Sequence, residues 1–174
     1  MSGIGYDLKK IRALVFDVDG VLSPSTIPMN NLGEPERMVN IKDGYALQLA
    51  AKTGYKIAII TGGKGEAIRH RYEALGVHDI FMGAGKKITV LQQWLEGNKL
   101  QADEVMYMGD DIPDIECMRL VGLPCAPSDA CAEARITAKY ISRFMGGYGC
   151  ARDVIEQILK ARGDWMKDSN AFGW

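Results

Sequence analysis

The sequence has no tract of basic residues and no long hydrophobic run. Its net charge is −1, so nothing in the charge pattern indicates a nucleic acid or an anionic membrane as a partner. The first ten residues contain no apolar segment typical of a secretion signal, and no later run approaches the length of a membrane span. We therefore expect a cytoplasmic protein that binds neither nucleic acid nor membrane.

Closely spaced cysteine pairs, internal repeats and low-complexity segments are also absent. The spacing of the four cysteines excludes the usual zinc and redox motifs, and we expect reduced, mostly packed thiols at Cys117, Cys125, Cys131 and Cys150. The only histidines, His70 and His78, lie in polar surroundings and are expected at the surface. Hydrophobic residues make up 47% of the 174 residues and charged residues 25%, which favours one globular domain over disorder.

Short apolar runs alternate with helical patterns along the chain. The runs typical of strands are Ala13–Phe16, Lys56–Ile60, Asp79–Met82 and Val105–Met108, with weaker ones at Leu123–Ala126 and Tyr140–Ile141. The helical patterns cover Tyr45–Lys52, Glu66–Leu75, Ile88–Leu95, Ile112–Val121 and Asp153–Ala161. This alternation predicts an α/β fold, a Rossmann-like parallel sheet with helices on both faces. The carboxyl ends of its strands meet at one edge, where such sheets bind ligands.

One segment, residues 23–40, interrupts the alternation. It contains three prolines and a turn signal at Asn30–Gly33, with extended pieces near Thr26–Met29 and Arg37–Ile41. We expect a projecting β-hairpin, too small to be a lid. Because the later connections are short, we expect a single domain over residues 1–162 with no cap domain. The polar segment Gly163–Trp174 is expected to be a flexible tail.

Two carboxylates follow the first predicted strand directly. Asp17 and Asp19 are separated by one residue and followed by Gly20, in the sequence Asp-Val-Asp-Gly-Val-Leu. Burying unpaired charges at a strand end costs on the order of several kcal/mol, so a cation or shifted pKa values are expected. Side chains two residues apart share a face of a strand, so both carboxylates can flank one site. A polar strand end with an ordinary Asp-Gly turn is the alternative.

Two further element ends carry groups that suit an anion. Thr61-Gly62-Gly63 follows the second strand, where a hydroxyl and exposed backbone N–H groups can donate to an anion. An ordinary strand-to-helix turn is the alternative for this tripeptide. Lys86 and Lys87 lie at the start of a predicted helix, where a lysine opposes the helix dipole. That position indicates an anion or an acidic cluster nearby.

Three carboxylates cluster after the fourth strand. The sequence Gly-Asp-Asp-Ile-Pro-Asp places Asp110, Asp111 and Asp114 within five residues. Such a cluster is costly without a cation, and hard oxygen ligands suit magnesium. Capping of a helix by Asp111, with Pro113 in its first turn, is the alternative.

In this order, the four motifs resemble those of the haloacid dehalogenase superfamily, the Asp-x-Asp phosphotransferases. The resemblance implies that Asp17 is the nucleophile and Asp19 the general acid/base. It implies that Thr61 and Gly62 bind the transferring phosphoryl group. It also implies a lysine that offsets the repulsion among phosphate and aspartates. The spacing favours Lys87 for this role, and Lys86 is the alternative. The resemblance also implies Mg²⁺ as cofactor, with Asp17, the Asp19 carbonyl and Asp110 as ligands and with Asp111 and Asp114 in support.

Three other stretches resemble the capless branch of 3-deoxy-D-manno-octulosonate 8-phosphate phosphatases. They are Asn40-Ile41-Lys42-Asp43-Gly44, the helix that contains Arg69 and Arg71, and the glycine-rich residues before Arg152. In isolation they are typical of a helix cap at Asp43, solvated arginines and a turn. The resemblance implies that the sugar acid is bound by Asn40, Lys42, Asp43, Gly44 and Arg71, with Arg152 in support.

The sequence departs from this branch at two positions. Many members have an arginine where Gly63 stands and another where Gln48 stands. A nine-carbon 2-keto-3-deoxy sugar acid 9-phosphate is therefore an alternative substrate. A phosphatase of broad specificity and a non-catalytic regulatory module with the same fold are further alternatives.

Assembly is the last expectation. The hairpin would leave unpaired edges and apolar side chains exposed in a monomer, at Ile27, Met29, Leu32, Met38 and Val39. The resemblance implies a homotetramer built through such hairpins, in which a neighbouring subunit covers each site.

Overall fold

The computed structural model describes residues 3–174, apart from the side chain of Asn170. Its six strands are β1 Ala13–Phe16, β2 Lys56–Ile60, β3 Asp79–Phe81, β4 Val105–Met108, β5 Leu123–Ala126 and β6 Tyr140–Ile141. Its α-helices are α1 Ile41–Lys52, α2 Glu66–Glu73, α3 Lys87–Asn98, α4 Ile115–Leu120, α5 Ala132–Thr137 and α6 Cys150–Arg162. All five strand pairings are parallel, in the order β3-β2-β1-β4-β5-β6. The predicted α/β fold is confirmed.

The central strand β1 is buried on both faces. Leu14 and Phe16 belong to one apolar cluster, which includes residues of α1 and α6. Ala13 and Val15 belong to the other, which includes residues of α3 and α4. A strand covered on both sides carries a continuous apolar run, which explains why β1 shows no alternation.

The strand order reverses beside β1. From β1 the chain proceeds outward through β2 to β3, and it then returns to the other side of β1 with β4. The backbone N–H of Asp17 donates to the carbonyl of Met108 at 3.1 Å, so the ends of β1 and β4 are joined at this point. The carboxyl ends at such a reversal form a crevice that suits a ligand.

Residues 23–40 form a turn with little strand structure. Met29 and Pro35 make an isolated antiparallel bridge, and the N–H of Glu36 donates to the carbonyl of Pro28 at 2.8 Å. The extended pieces expected on either side of the turn, near Thr26–Met29 and Arg37–Ile41, do not form strands. Proline has no N–H to donate, so Pro28 and Pro35 limit the ladder to this single bridge.

The ends of several helices differ from the prediction. α1 begins at Ile41 and not at Tyr45, because the Asn40 side chain accepts the N–H groups of Lys42 and Asp43. The cap of this helix is therefore Asn40 and not Asp43. A 3₁₀ turn, Ile112–Asp114, precedes α4, and α5 was not predicted. The predicted helix Ile112–Val121 is thus divided into this turn and α4, whereas α5 is short and lacks a clear helical period.

The segment after α6 lies against α1. The rings of Trp165 and Trp174 both meet the Tyr45 ring edge-on, with centroids 6.1 Å apart, and Ala171 is buried. The guanidinium of Arg152 lies 4.4 Å from the Trp165 ring. The division into a domain over residues 1–162 and a flexible tail stays a prediction.

Within residues 3–174, no helix is both long and apolar enough to cross a membrane. The same described residues form one sheet with its covering helices, and they contain no separate cap domain.

Candidate active site

Four element ends converge at the carboxyl edge of the sheet. Asp17 follows β1, Thr61 follows β2, Asp110 follows β4, and Lys87 begins α3. They share a cavity of about 400 Å³. Eight residues predicted for the site line it: Asp17, Asp19, Thr61, Gly62, Lys87, Asp110, Asp111 and Asp114.

Asp17 is nearly buried at the base of this cavity. One of its carboxylate oxygens accepts the N–H of Val18 at 2.7 Å, and the other lies 2.8 Å from the ammonium of Lys87. Burial, followed by repulsion from Asp114, raises the pKa of Asp17 to about 6. The carboxylate is thus fixed in place by one backbone amide and one cation.

Lys87 joins two acidic side chains below the cavity. Its ammonium lies 2.8 Å from carboxylate oxygens of both Asp17 and Asp114, and its side chain is 6% exposed. Burial lowers the pKa of Lys87. Its two carboxylate partners raise this pKa by more than burial lowers it, so the net shift is upward. Lys86 is exposed and does not line the cavity. The geometry thus favours Lys87 over Lys86 as the lysine of the site.

Both carboxylate oxygens of Asp114 accept hydrogen bonds from neighbouring groups. One oxygen accepts from Lys87 and from the hydroxyl of Tyr107, at 2.8 and 2.7 Å. The other accepts the backbone N–H groups of Asp110 and Asp111, at 3.1 and 3.4 Å. These bonds leave Asp114 suited to holding Lys87 and the Asp110 loop, not to binding a ligand.

The surroundings of Asp110 show whether the site suits a metal ion. Oxygens of Asp17, Asp110 and Asp114 lie within 4.8 Å of one another. One Asp110 oxygen is buried without a hydrogen-bond partner, and burial, Asp114 and Asp17 raise the pKa of Asp110 to about 7. An all-carboxylate donor set with a free buried oxygen suits Mg²⁺. Asp17 and Asp110 therefore fit the predicted metal site.

Gly20 permits the close approach of the two acidic loops. Its φ is +90°, and a Cβ atom at this position would overlap the carboxylate of Asp110. The glycine of the Asp-Val-Asp-Gly motif is therefore required by geometry.

Thr61 is buried where β2 ends. Its hydroxyl oxygen accepts the N–H of Gly63 at 3.0 Å, while its own N–H donates to the carbonyl of Phe81 at 2.9 Å. Neither of these bonds uses the hydroxyl proton of Thr61, so the hydroxyl can donate it toward the cavity.

Comparison with known proteins agrees with this geometry. Residues 36–127 match the family model of haloacid dehalogenase-like hydrolases. The 3-deoxy-D-manno-octulosonate 8-phosphate phosphatase of Escherichia coli (strain K12) is 37% identical over 155 residues, which are 89% of this chain and 82% of that protein. The chain is a haloacid dehalogenase-like hydrolase of the 3-deoxy-D-manno-octulosonate 8-phosphate phosphatase family.

Two solved structures of this haloacid dehalogenase family are similar throughout. The phosphatase from Yersinia pestis superposes with a TM-score of 0.87 at 34% identity, covering 91% of this chain and 85% of that one. The phosphatase from Moraxella catarrhalis, in complex with a magnesium ion, phosphate and KDO, gives 0.85 at 33% identity and covers 89% of each chain. The capless architecture thus agrees with solved members of the family.

The remaining predicted residues lie outside the 400 Å³ cavity of this haloacid dehalogenase site. Asn40, Lys42 and Arg152 line a separate cavity of about 720 Å³. Asp43 is buried and accepts the backbone N–H of Arg152 at 2.6 Å, and Gly44 packs against Arg71. Their contact with a substrate stays a prediction.

Two residues whose side chains bind carboxylates of the site were not predicted. Tyr107 lies inside β4, and its hydroxyl position is set by the strand register, which the sequence does not show. Arg37 lies within the turn of residues 23–40, and its guanidinium reaches Asp19. Neither residue is part of a motif, so no sequence signal indicated it.

The stability of the metal-free protein is expected to fall as pH rises. Asp17, Asp43 and Asp110 have folded-state pKa values of about 6, about 6 and about 7, above their ordinary value of 3.8. The folded state therefore binds more protons than the unfolded state between about pH 4 and pH 7. Across this range the free energy of unfolding falls as pH rises, and above it this contribution is lost. One pKa unit corresponds to about 1.4 kcal/mol, so we expect a loss of a few kcal/mol.

Chemical denaturation in the presence of chelator at about pH 5 and pH 8 measures this change. Added Mg²⁺ should restore stability at the higher pH, because it binds the folded state. A metal-free protein that is more stable at pH 8 would contradict the assignment of these buried carboxylates.

Proposed function

We propose that this chain is a magnesium-dependent phosphatase that hydrolyses 3-deoxy-D-manno-octulosonate 8-phosphate to the free sugar acid and phosphate. The observation that carries the proposal is Asp17, which faces the cavity beside Lys87 and beside a buried, unpartnered oxygen of Asp110. Relatives that carry this activity in their names align along 89% of the chain.

In the first step, a carboxylate oxygen of Asp17 bonds to phosphorus. The bond between phosphorus and the sugar oxygen breaks, and its electron pair goes to that oxygen. Asp19, on the same loop, gives this oxygen a proton, so the sugar leaves as an alcohol. The enzyme then carries a phosphoryl group on Asp17.

In the second step, Asp19 takes a proton from a water molecule that attacks phosphorus. The bond from phosphorus to the Asp17 oxygen breaks, which releases phosphate and restores the carboxylate. Both aspartates return to their starting protonation states. Thr61 and Lys87 line the cavity and donate to the phosphoryl oxygens as negative charge spreads over these oxygens.

Asp17, Asp110 and the carbonyl of Asp19 are the proposed ligands of Mg²⁺. When bound, the ion neutralises phosphate charge that would otherwise repel Asp17. Asp111 and Asp114 support this arrangement, since Asp114 holds the backbone of the Asp110 loop.

The substrate assay tests the proposal. Values of kcat/KM are compared for the eight-carbon 8-phosphate, a nine-carbon 2-keto-3-deoxy sugar acid 9-phosphate and glucose 6-phosphate. The proposal predicts the highest value for the eight-carbon substrate. A higher value for the nine-carbon substrate would reassign the specificity, and equal values for all would indicate a broad phosphatase.

Magnesium is expected to be essential for turnover. Chelator should abolish phosphate release, and Mg²⁺ should restore it where Ca²⁺ does not, because Ca²⁺ prefers more ligands in a looser geometry. Phosphate release is followed after each addition to one sample. Full activity in excess chelator would exclude the metal site at Asp110.

We further propose a cytoplasmic homotetramer in which neighbouring subunits cover each site. Met29 and Leu32 on the turn of residues 23–40 are 66% and 83% exposed in the single chain, which supports burial against a partner. Light scattering measures the mass in solution. A fully active monomer would contradict this assembly.

A further inference from the structure

Arg37 connects the turn of residues 23–40 to the active-site loops. Its Nε and Nη2 donate to the two carboxylate oxygens of Asp19, at 2.7 and 2.8 Å. Its Nη1 donates to the carbonyl of Lys64 at 3.3 Å. The side chain is only 13% exposed. The proposed acid/base is therefore held by a bidentate, charge-assisted pair in the free protein.

The guanidinium lies where two cavities approach each other. On one side is the 400 Å³ cavity, lined by Asp19 and Gly63. A Cβ atom at Gly63 would lie 2.6 Å from Nη2 of Arg37, so the arginine fills the space above that glycine. On the other side is a cavity of about 330 Å³ lined by Arg37, Arg71 and Ser23.

Two of the residues that line the second cavity carry a polar atom without a partner. Nη2 of Arg71 and the hydroxyl oxygen of Ser23 are buried and make no hydrogen bond. Buried unpaired donors are costly, and groups that remain unpaired in the free protein are available to a polar ligand. A ligand with its phosphate at Asp17 and a second anionic group near this cavity would extend past Arg37.

We propose that Arg37 is a specificity-determining residue that binds the carboxylate of the sugar acid, and that Asp19 occupies its guanidinium only while the site is free. This inference rests on the proposed function. Binding exchanges one carboxylate partner of Arg37 for another, and the released Asp19 carboxylate takes up a proton from solvent before it donates to the leaving oxygen. A sugar phosphate without a carboxylate offers Arg37 no replacement for Asp19.

This exchange explains how one residue discriminates among substrates. A ligand shifts an equilibrium only by its different affinities for the two states. For a sugar acid, the bidentate pair lost at Asp19 is replaced by a stronger pair with the substrate carboxylate, so Arg37 still contributes net binding energy. For a neutral sugar, the pair is lost without compensation, and the difference appears as a lower kcat/KM.

The test uses Arg37→Ala and Arg37→Lys, with Arg69→Ala as the matched control. Arg69 is on α2 and pairs with Glu73 at 3.3 Å, and it does not line either cavity. Calorimetry measures binding of free 3-deoxy-D-manno-octulosonate, which requires no turnover. Steady-state kinetics give kcat/KM for its 8-phosphate and for glucose 6-phosphate.

Loss of a charge-assisted pair predicts a fall of about 10–100-fold for Arg37→Ala in sugar-acid affinity and in kcat/KM for the sugar acid phosphate. The value for glucose 6-phosphate should stay the same or rise, since Asp19 is no longer held. Arg37→Lys keeps the charge without the planar geometry and should lie between wild type and Arg37→Ala. Arg69→Ala should match wild type in all three measurements.

Equal losses on both phosphates would overturn the inference, because they indicate a general structural role. Unchanged sugar-acid binding in Arg37→Ala would overturn it as well. If Arg37→Ala does not fold, the same outcomes are read from Arg37→Lys. Failure of the wild-type protein to hydrolyse the sugar acid phosphate would instead contradict the proposed function.

Discussion

Asp17→Asn is expected to abolish phosphate release while the fold stays intact. The asparagine keeps the shape of the side chain but lacks the charged oxygen that bonds to phosphorus. Loss of a catalytic nucleophile lowers kcat on the order of 10⁴-fold or more. Initial rates at saturating substrate and Mg²⁺ measure the effect.

The stability of this variant separates chemistry from folding. Burial raises the pKa of Asp17 to about 6, so ionised Asp17 is unfavourable in the metal-free protein at neutral pH. Asp17→Asn should therefore unfold at the same temperature as metal-free wild type or higher. Asp103→Asn, at an exposed side chain that pairs with Lys10 at 3.9 Å, is the control and should retain full activity. Wild-type turnover in Asp17→Asn would exclude Asp17 as the nucleophile.

Lys87→Met is expected to lower both stability and activity. The lysine is 6% exposed and lies 2.8 Å from both Asp17 and Asp114, whose carboxylates would lose their shared cation. Removing one partner of a buried ion pair destabilises a protein by about 3–5 kcal/mol. Loss of a donor to the phosphoryl oxygens should also lower kcat by about 10²–10³-fold.

Lys86→Met is the matched control, since Lys86 is the exposed neighbour in the sequence. It should unfold and turn over like wild type. Urea denaturation and steady-state kinetics on both variants give the comparison. The stability defect of Lys87→Met should become smaller at lower pH, because protonation neutralises the carboxylates left without a partner. A larger loss in Lys86→Met would reverse the assignment.

The strands and the site motifs were predictable because each depends on local sequence. A strand buried on both faces must be apolar, so Ala13–Phe16 was recognised with its bounds. The acidic residues that follow β1 and β4 stand out because charge is unexpected at the end of a buried strand. Parallel topology then places them at one edge, as the 400 Å³ cavity shows.

Features that depend on tertiary contacts were not predictable. The start of α1 was misplaced because Asn40 caps it from a loop, and α5 is too short for a clear period. The hydrogen bond from Tyr107 to Asp114 and the pair of Arg37 with Asp19 join residues of different elements. The sequence contains these residues, but only the fold shows their distances.

The most direct test of the mechanism is to trap the phosphoryl group on Asp17. The enzyme is mixed with sugar acid phosphate and Mg²⁺, quenched in acid, reduced with borohydride and digested for mass spectrometry. Borohydride reduces an acyl phosphate to an alcohol, so Asp17 should be converted to homoserine in wild type. In Asp17→Asn, which lacks the attacking oxygen, no homoserine should form. Modification of another residue, or of none while turnover proceeds, would contradict nucleophilic attack by Asp17.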